Sequence, residues 1–92
     1  MSKREVSVAV KAEFAKVFVD GKRIVLDNGV GATAVTKGNE HALTWAVRGA
    51  PGTKYIVAIK GPKEATLEHG ETFGAEGFDA GIAWFRVSEG QV

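Results

Sequence analysis

The side chains able to do acid–base or metal chemistry in this chain are few and lie mostly in one segment. Glu68-His69-Gly70-Glu71 sets a histidine between two carboxylates, a composition that suits a general base or part of a zinc site. His41 is the other histidine, and no cysteine is present to supply a thiolate. A metal site needs three or four ligands that converge from spaced positions, which this segment does not provide. We therefore expect a solvated loop here and no metal.

Nucleophilic catalysis and phosphate binding have no better candidates. A Ser-His-Asp mechanism needs a serine at a strained turn or a pocket floor, whereas Ser2 and Ser88 lie near the chain ends and Ser7 points outward from an apolar strand. The glycines between positions 70 and 81 lack the Gly-Lys-Ser/Thr ending of a phosphate loop. We predict that the protein is not an enzyme.

Calcium is the remaining cofactor to consider, because loops of β-sandwiches can bind it through carboxylate and carbonyl oxygens. The side chains that we would nominate are Asp20, Asp27, Asn28, Glu76 and Asp79. No Asp-x-Asp-x-Asp loop is present, and Asp20 and Asn28 are already explained as turn formers before glycine. We expect the protein to use no cofactor.

Two turn dipeptides, Asp20-Gly21 and Asn28-Gly29, are the strongest indication of the architecture. Asp-Gly and Asn-Gly supply the positive φ angles of type I′ turns, so residues 16–30 predict two consecutive β-hairpins. A two-residue turn at the first dipeptide places Val17 opposite Ile24. The strand after the second dipeptide is rich in small residues, so it is either short or crosses to another sheet.

The alternation of apolar residues changes phase early in the chain. Residues 6–14 have apolar side chains at even positions, whereas the next strand has them at odd positions. A bulge or break near Ala15 must therefore re-aim the chain, as happens when a first strand passes from one sheet to another. In the following hairpin, Phe18 lies opposite Arg23 on the face away from Val17.

The rest of the chain contains further strands and one long connection. Residues 63–80 are rich in Gly and Glu and predict a long loop with at most one short strand or turn. We expect Phe73 and Phe78 to anchor this loop over one end of the sandwich; the alternative is that both are exposed and the loop is a binding lid. Residues 89–92 predict a frayed tail. Alternating apolar residues predict strands over 41–48, 55–60 and 81–88.

These features together indicate an all-β fold. The 92 residues suffice for one core, so we expect a single domain over residues 1–92. Six to eight short strands, with turn signals about every ten residues, predict an immunoglobulin-like antiparallel β-sandwich of about seven strands. A small closed β-barrel is the alternative.

Charge is balanced over the whole chain but uneven along it. Residues 1–63 carry eleven Lys or Arg against five acids, a net of +6, whereas residues 64–92 carry Arg86 against six acids, a net of −5. We expect the two parts to lie side by side and complement each other, so nucleic acid is not an expected partner. No run of about eighteen apolar residues is present, so we expect neither a signal peptide nor a membrane span. The absence of cysteine slightly favours the cytoplasm.

A series of features between Lys16 and Pro62 matches a known pattern. The series is Val17-Phe18-Val19-Asp20-Gly21-Lys22, then Gly38 and His41 ahead of Leu43, Trp45 and Val47, then Gly49 before the next strand. In this order it resembles the PEGA-type modules, small β-sandwiches of bacterial surface and sensor proteins. The resemblance implies a scaffold or adhesion module without catalysis, and it brings no site residues with it.

The best functional indication is an excess of apolar side chains on strand faces that should contact water. A sandwich sheet needs only one buried face. In the last strand Phe85 shares the buried face with its neighbours at 83 and 87, which leaves Trp84 on the other. The opposite phase, with Trp84 in the core and Phe85 outside, is the competing interpretation. Trp45 and Tyr55 are expected in the core.

We therefore predict a non-catalytic module for protein–protein interaction or self-assembly, which uses an apolar face of the sandwich. The binding residues that we predict are Trp84, Ile82, Arg86, Phe18, Val25 and Ile56. A homo-oligomer is one form that this interaction can take. The alternative is a carbohydrate-binding module in which Trp84 or Tyr55 provides an exposed aromatic platform for stacking on sugars.

Overall fold

Two antiparallel sheets pack face to face in the computed structural model, which describes residues 3–88. The strands are β1 (Lys3–Lys11), β2 (Phe14–Val19), β3 (Lys22–Ile24), β4 (Val30–Thr36), β5 (Glu40–Arg48), β6 (Lys54–Gly61), β7 (Leu67–Thr72) and β8 (Phe78–Arg86). One sheet has the order β4-β1-β6-β7 and the other β3-β2-β5-β8. The prediction of an all-β sandwich is confirmed. The barrel alternative is wrong, because the two sheets remain separate.

The change of phase after β1 marks the passage from one sheet to the other. The chain breaks at Ala12 and Glu13, close to the predicted position, and β2 continues in the second sheet. Val8 of β1 and Val17 of β2 are both fully buried. The even set of β1 and the odd set of β2 therefore face the same core from opposite sides.

Both turn dipeptides adopt the left-handed backbone that the sequence predicts. The φ angles are 52° and 82° at Asp20-Gly21, and 53° and 81° at Asn28-Gly29. In the first hairpin Val17 lies opposite Ile24 and Phe18 lies opposite Arg23, which confirms the predicted register.

In the second predicted hairpin, the two arms on either side of Asn28-Gly29 pair only through one isolated bridge, between Asp27 and Val30. β4 then pairs with β1 along seven residues, from Ala9↔Val30 to Lys3↔Thr36. Of the two predicted outcomes for this strand, crossing to the other sheet is therefore the one observed. The crossing brings Gly31 against the backbone carbonyl of Val25, a close approach that a β-carbon would obstruct.

Residues 63–80 are more regular than predicted. They comprise a 3-10 turn over Lys63–Ala65, strand β7 and the start of β8, so that only residues 73–77 form a connecting loop. β7 is an edge strand with mostly exposed side chains, and its sequence therefore lacks apolar alternation. Phe73 is buried and anchors the loop, but Phe78 is 52% exposed, so the predicted anchor is wrong for Phe78. The predicted tail at 89–92 lies outside the described residues.

The core lies between the two sheets and includes Trp45 and Tyr55, as predicted. Tyr55 packs against Phe73 with ring centroids 5.1 Å apart. Trp45 of β5 lies directly opposite Gly81 of β8, where the absence of a side chain makes room for the indole. Among residues 3–88 the helical content is one 3-10 turn of three residues, and no helix there could span a membrane.

Candidate interaction surface

The outer surface of the β3-β2-β5-β8 sheet is the most apolar part of the exterior. Leu43, Trp45 and Val47 of β5 point into the core, so the residues between them and their cross-strand partners point outward. We call this surface the aromatic face. Its large apolar members are Phe14, Phe18, Phe78, Ile82 and Trp84, and its charged members are Lys16, Arg23, Glu40, Arg48 and Arg86.

The large side chains of the aromatic face are apolar, yet most of them are widely exposed to water. Phe14 is 66% exposed, Phe78 52%, Ile82 53% and Trp84 60%, while Phe18 is half-buried. Phe85, the neighbour of Trp84, is 5% exposed and lies in the core. The structure thus places Trp84 on the outside. Three of these four exposed side chains, Phe78, Ile82 and Trp84, belong to β8, an edge strand of the sheet.

Bulky and small side chains alternate in rows across the strands. Phe14 and Phe78 lie on either side of Arg48 in one row, and the next row on β5 and β8 consists of Ala46 and Ala80. Ala46 lines a shallow groove of about 440 Å³ together with the three residues of the first row. Such a groove can accept side chains of a partner surface.

The following rows continue the pattern toward the other end of the sheet. Phe18, Thr44 and Ile82 lie in one transverse row, and Ala42 lies opposite Trp84 in the next. Because Ala42 is small, the indole of Trp84 stands above its neighbour rather than packing against a side chain of similar size. The aromatic face is therefore both apolar and uneven in height.

Positive charge surrounds the apolar side chains. Lys16, Arg23, Arg48 and Arg86 lie on the aromatic face, against the single carboxylate of Glu40. Arg86 Nη1 donates a hydrogen bond of 3.1 Å to the carbonyl of Gly38, which orients its guanidinium at one end of the sheet. An apolar centre with a charged rim is the usual composition of a protein interface.

Not all of the predicted binding residues lie on this face. Phe18, Ile82, Trp84 and Arg86 do, but Ile56 lies between Lys11 and Gly70 on the outer surface of the other sheet. Val25 follows the end of β3, at the edge of the sheet farthest from β8, and its side chain is 82% exposed. The prediction of one patch is therefore wrong for Ile56, which belongs to the other sheet. Alternation within a strand indicates a side, but it does not indicate the sheet to which the strand belongs.

Sequence reasoning missed Phe14 and Phe78, the two aromatic side chains at one end of the face. Alternation along the sequence places Phe14 in the even apolar set of β1, although Phe14 begins β2 and shares its phase with Phe18. Phe78 falls in the segment that the sequence predicts as a loop, although it is four residues from Ile82 and therefore on the same side of one strand. Correct strand boundaries would have identified both.

A buried histidine and a carboxylate form a polar cluster at the β2–β3 turn. His41 is 5% exposed, its Nδ1 lies 2.6 Å from Asp20 Oδ2, and its Nε2 lies 2.8 Å from the carbonyl of Thr36. Asp20 Oδ1 also accepts a hydrogen bond of 2.9 Å from the Ala42 N–H. Partial burial opposes ionisation of Asp20, but the hydrogen bonds from Ala42 and His41 outweigh it and lower the pKa of this carboxyl. The cluster connects the turn to β5.

A second polar pair lies where β6 faces β8. The Tyr55 hydroxyl donates a hydrogen bond of 2.7 Å to Asp79 Oδ2, and Asp79 Oδ1 accepts one of 2.9 Å from the Ala80 N–H. Burial, followed by the hydrogen bond to Asp79, raises the pKa of Tyr55 to about 12. The same hydrogen bond from Tyr55, with that from Ala80, lowers the pKa of Asp79. Tyr55 is 1% exposed, so it cannot offer the sugar-stacking platform considered above.

The segment with the highest density of acid–base groups lies on a strand. Glu68-His69-Gly70-Glu71 belongs to β7, so the prediction of a solvated loop is wrong. The His69 ring packs against Trp45 and Tyr55, with centroids 5.0 Å and 6.0 Å away, and this contact directs it toward the core. Within residues 3–88, no group of three His, Asp or Glu side chains is arranged to hold a metal ion.

The aromatic face is therefore the strongest candidate for a functional site in the part of the chain that the structure describes. It combines exposed aromatic side chains, a groove and a charged rim on one sheet. Comparison of the chain with protein-family models, with curated proteins and with solved structures finds no match.

Proposed function

We propose that this protein is a non-catalytic assembly module that associates with protein, including its own second copy, through the aromatic face. The observation that carries this proposal is the exposure of Phe14, Phe78, Ile82 and Trp84, each more than half accessible to water on one side of one sheet. Contiguous exposed apolar patches of this kind are rare on monomers and mark interaction sites.

The free energy available from covering these side chains is large enough to support association. An aromatic side chain removes about 150–250 Å² from water when fully buried, at about 25 cal/mol per Å². Covering the exposed part of each ring on the aromatic face is therefore worth about 2–3 kcal/mol. Summed over the face, this gain is comparable with the roughly 4–15 kcal/mol that association costs in lost freedom. Several side chains must be covered together, so each of them should matter.

Light scattering over a range of protein concentrations tests the proposal. We expect the average mass to rise above that of the 9.7 kDa chain as concentration increases. Trp84→Ala should weaken association by about tenfold or more, because central aromatic residues dominate interface energies. Ile56→Ala, on the outer surface of the other sheet, is the matched control and should leave association unchanged. A mass that stays monomeric at every concentration would refute self-association.

Carbohydrate binding is a second candidate, favoured by the 60% exposure of Trp84 beside the hydrogen-bonding side chains of Thr44 and Arg86. Sugars stack on exposed indole rings. Titration with oligosaccharides should then change the fluorescence of Trp84, while that of buried Trp45 stays constant. A Trp84→Phe variant assigns the signal. If no oligosaccharide changes the fluorescence, this candidate fails while the assembly proposal is unaffected.

A further inference from the structure

The edge strand β8 has features that natural proteins usually avoid. It runs for nine residues, pairs with β5 without a break in register, and has no partner on its other side among residues 3–88. Exposed edges are normally shortened, charged or bulged, because their free N–H and C=O groups can pair with another chain. β3, at the opposite edge, has only three residues, and β7 carries Glu68 and Glu71.

The charges on β8 do little to protect its edge. Asp79 is engaged by the Tyr55 hydroxyl, and Arg86 is the last residue of the strand. Between them lie six uncharged residues, 80–85, with no proline. β4 is also an uncharged edge, but its outward side chains are mostly small, whereas β8 presents Phe78, Ile82 and Trp84. A strand paired with the free edge of β8 would lie beside these three side chains and cover part of each.

We propose that β8 pairs antiparallel with β8 of a second copy about a two-fold axis at Ile82, which joins the two β3-β2-β5-β8 sheets into one sheet of eight strands. This inference rests on the proposed assembly function and names the contact that its β8 side chains make, whereas Phe14, on β2, lies two strands from the joined edge. Ile82 is the middle residue of β8, so a two-fold axis there is the one that pairs all nine residues. It also keeps the outward side chains of both copies on one face.

The cross-strand neighbours in this register are complementary. On the outer face Ile82 lies beside Ile82 of the second copy, and Trp84 lies beside Ala80, so that the indole covers a methyl group. Arg86 lies beside Phe78, where a guanidinium can contact an aromatic ring. On the inner face Asp79 lies opposite Phe85. No like charges are placed opposite each other, which would oppose the pairing.

Cysteine cross-linking tests the register directly, because the chain contains no cysteine. In Ile82→Cys the two sulfhydryls lie directly opposite, with Cα atoms about 4.5–5.5 Å apart, a separation that a disulfide spans. The matched control is Ala80→Cys, on the same face of the same strand. Its two cysteines would be offset by four residues, about 13 Å along the strand, which is too far for a disulfide.

We expect mild oxidation to convert most of the associated Ile82→Cys protein into a disulfide dimer and to leave Ala80→Cys largely uncross-linked. Circular dichroism of both reduced variants checks that they are folded. In the wild-type chain, amide hydrogen exchange in β8 should slow as concentration rises, a measurement that needs no substitution.

The outcomes separate the two proposals. If wild-type protein associates in light scattering but Ile82→Cys cross-links no better than Ala80→Cys and β8 exchange does not change, the β8 pairing is wrong and the assembly function stands. If the wild-type chain remains monomeric, the β8 pairing and the self-association part of the proposed function are both wrong. Preferential cross-linking of Ile82→Cys, together with slowed exchange, supports both.

Discussion

At the scale of single residues, two polar pairs, each with one buried member, show how this fold accommodates ionisable groups at its core. Tyr55 is 1% exposed and donates its only proton to Asp79, so both groups are satisfied in the neutral-phenol, ionised-carboxylate form. His41 is similarly held between the Asp20 carboxylate and the Thr36 carbonyl. Because both pairs connect different strands, they stabilise the arrangement of strands in addition to satisfying buried polar atoms.

Tyr55 should make the protein sensitive to alkali. Its pKa is raised to about 12 in the folded chain, above the usual value of 10.0, so the folded state holds the phenolic proton more tightly than the unfolded state. The contribution to stability is complete below pH 10 and is lost as pH rises toward about 12. Since Tyr55 is the only tyrosine, phenolate absorbance follows it directly. We expect ionisation and unfolding to coincide; ionisation near the ordinary pKa in a folded chain would contradict the buried hydrogen bond.

Asp20 should contribute to stability in the opposite pH range. Its pKa is lowered from 3.8 in the folded chain, so its contribution is present above pH 3.8 and is lost as pH falls through the lowered value. Asp20→Asn keeps a residue that tolerates the positive φ of the turn but removes the charge. Because the side chain is 48% exposed, we expect a loss of only about 0.5–1 kcal/mol at neutral pH.

Urea denaturation at neutral and acid pH measures this effect. The difference in free energy of unfolding between wild type and Asp20→Asn should shrink as the carboxyl of the wild type becomes protonated. Asp27→Asn, which removes an exposed carboxylate from the next turn, is the control for net charge. A difference for Asp20→Asn that is the same at both pH values would show that the interaction is not one of charge.

At the scale of strands, the sequence predicts what is local and misses what depends on distant partners. The hairpin at Asp20-Gly21 and its register were predictable, because the turn and the paired residues lie within eight positions, 17–24. The partner of β4 was not, since β4 pairs with β1, more than twenty positions earlier in the chain. β7 was hidden for a related reason, because an exposed edge strand has no need of apolar alternation.

The same difference between local and long-range properties explains which of the predicted binding residues lie together. The outward direction of Trp84 follows from alternation within β8, which is a local property. The joining of Trp84 to Phe14, and its separation from Ile56, depend on the order β3-β2-β5-β8. Strand order is set by packing between residues far apart in sequence, and a single chain with alternating strands does not reveal it.

The pairing of β5 with β8 depends on a large residue opposite a small one. A β-carbon at Gly81 would overlap the indole of Trp45, a buried ring that is 4% exposed. Gly81→Ala should therefore lower the free energy of unfolding by about 1–3 kcal/mol. Gly70→Ala, on β7, is the control, because its β-carbon would meet its nearest neighbour at an ordinary 3.6 Å.

Urea denaturation followed by tryptophan fluorescence measures both variants. We expect Gly81→Ala to be clearly less stable and Gly70→Ala to differ from wild type by well under 1 kcal/mol. Equal stability of the two variants would mean that β8 can shift relative to β5 at little cost. A strand β8 that shifts in this way would also be less suited to pair in a fixed register with β8 of a second copy.

At the scale of the whole molecule, the two outer surfaces of the sandwich differ in character. The outer surface of the β4-β1-β6-β7 sheet places Ile56 and Ala58 beside Lys11 and Glu68, whereas the aromatic face gathers most of the exposed large apolar side chains. The basic and acidic parts of the chain meet at Arg4 and Glu64, whose charged atoms are 3.5 Å apart. Positive charge nevertheless remains on the aromatic face, so association there must keep cations apart.

Pairing through β8 places no cation of one copy opposite a cation of the other. It also leads to a prediction for thermal stability. A dimer formed only by folded chains raises Tm as protein concentration increases, because association removes folded monomer from the unfolding equilibrium. Ile82→Lys would place two like charges directly opposite each other at the two-fold axis. Because position 82 is exposed, the lysine should not strain the folded monomer. We expect its Tm to be independent of concentration. Ile56→Lys adds the same charge to the other sheet and should keep the concentration dependence of the wild type. If Ile82→Lys keeps it as well, the contact between copies lies away from β8.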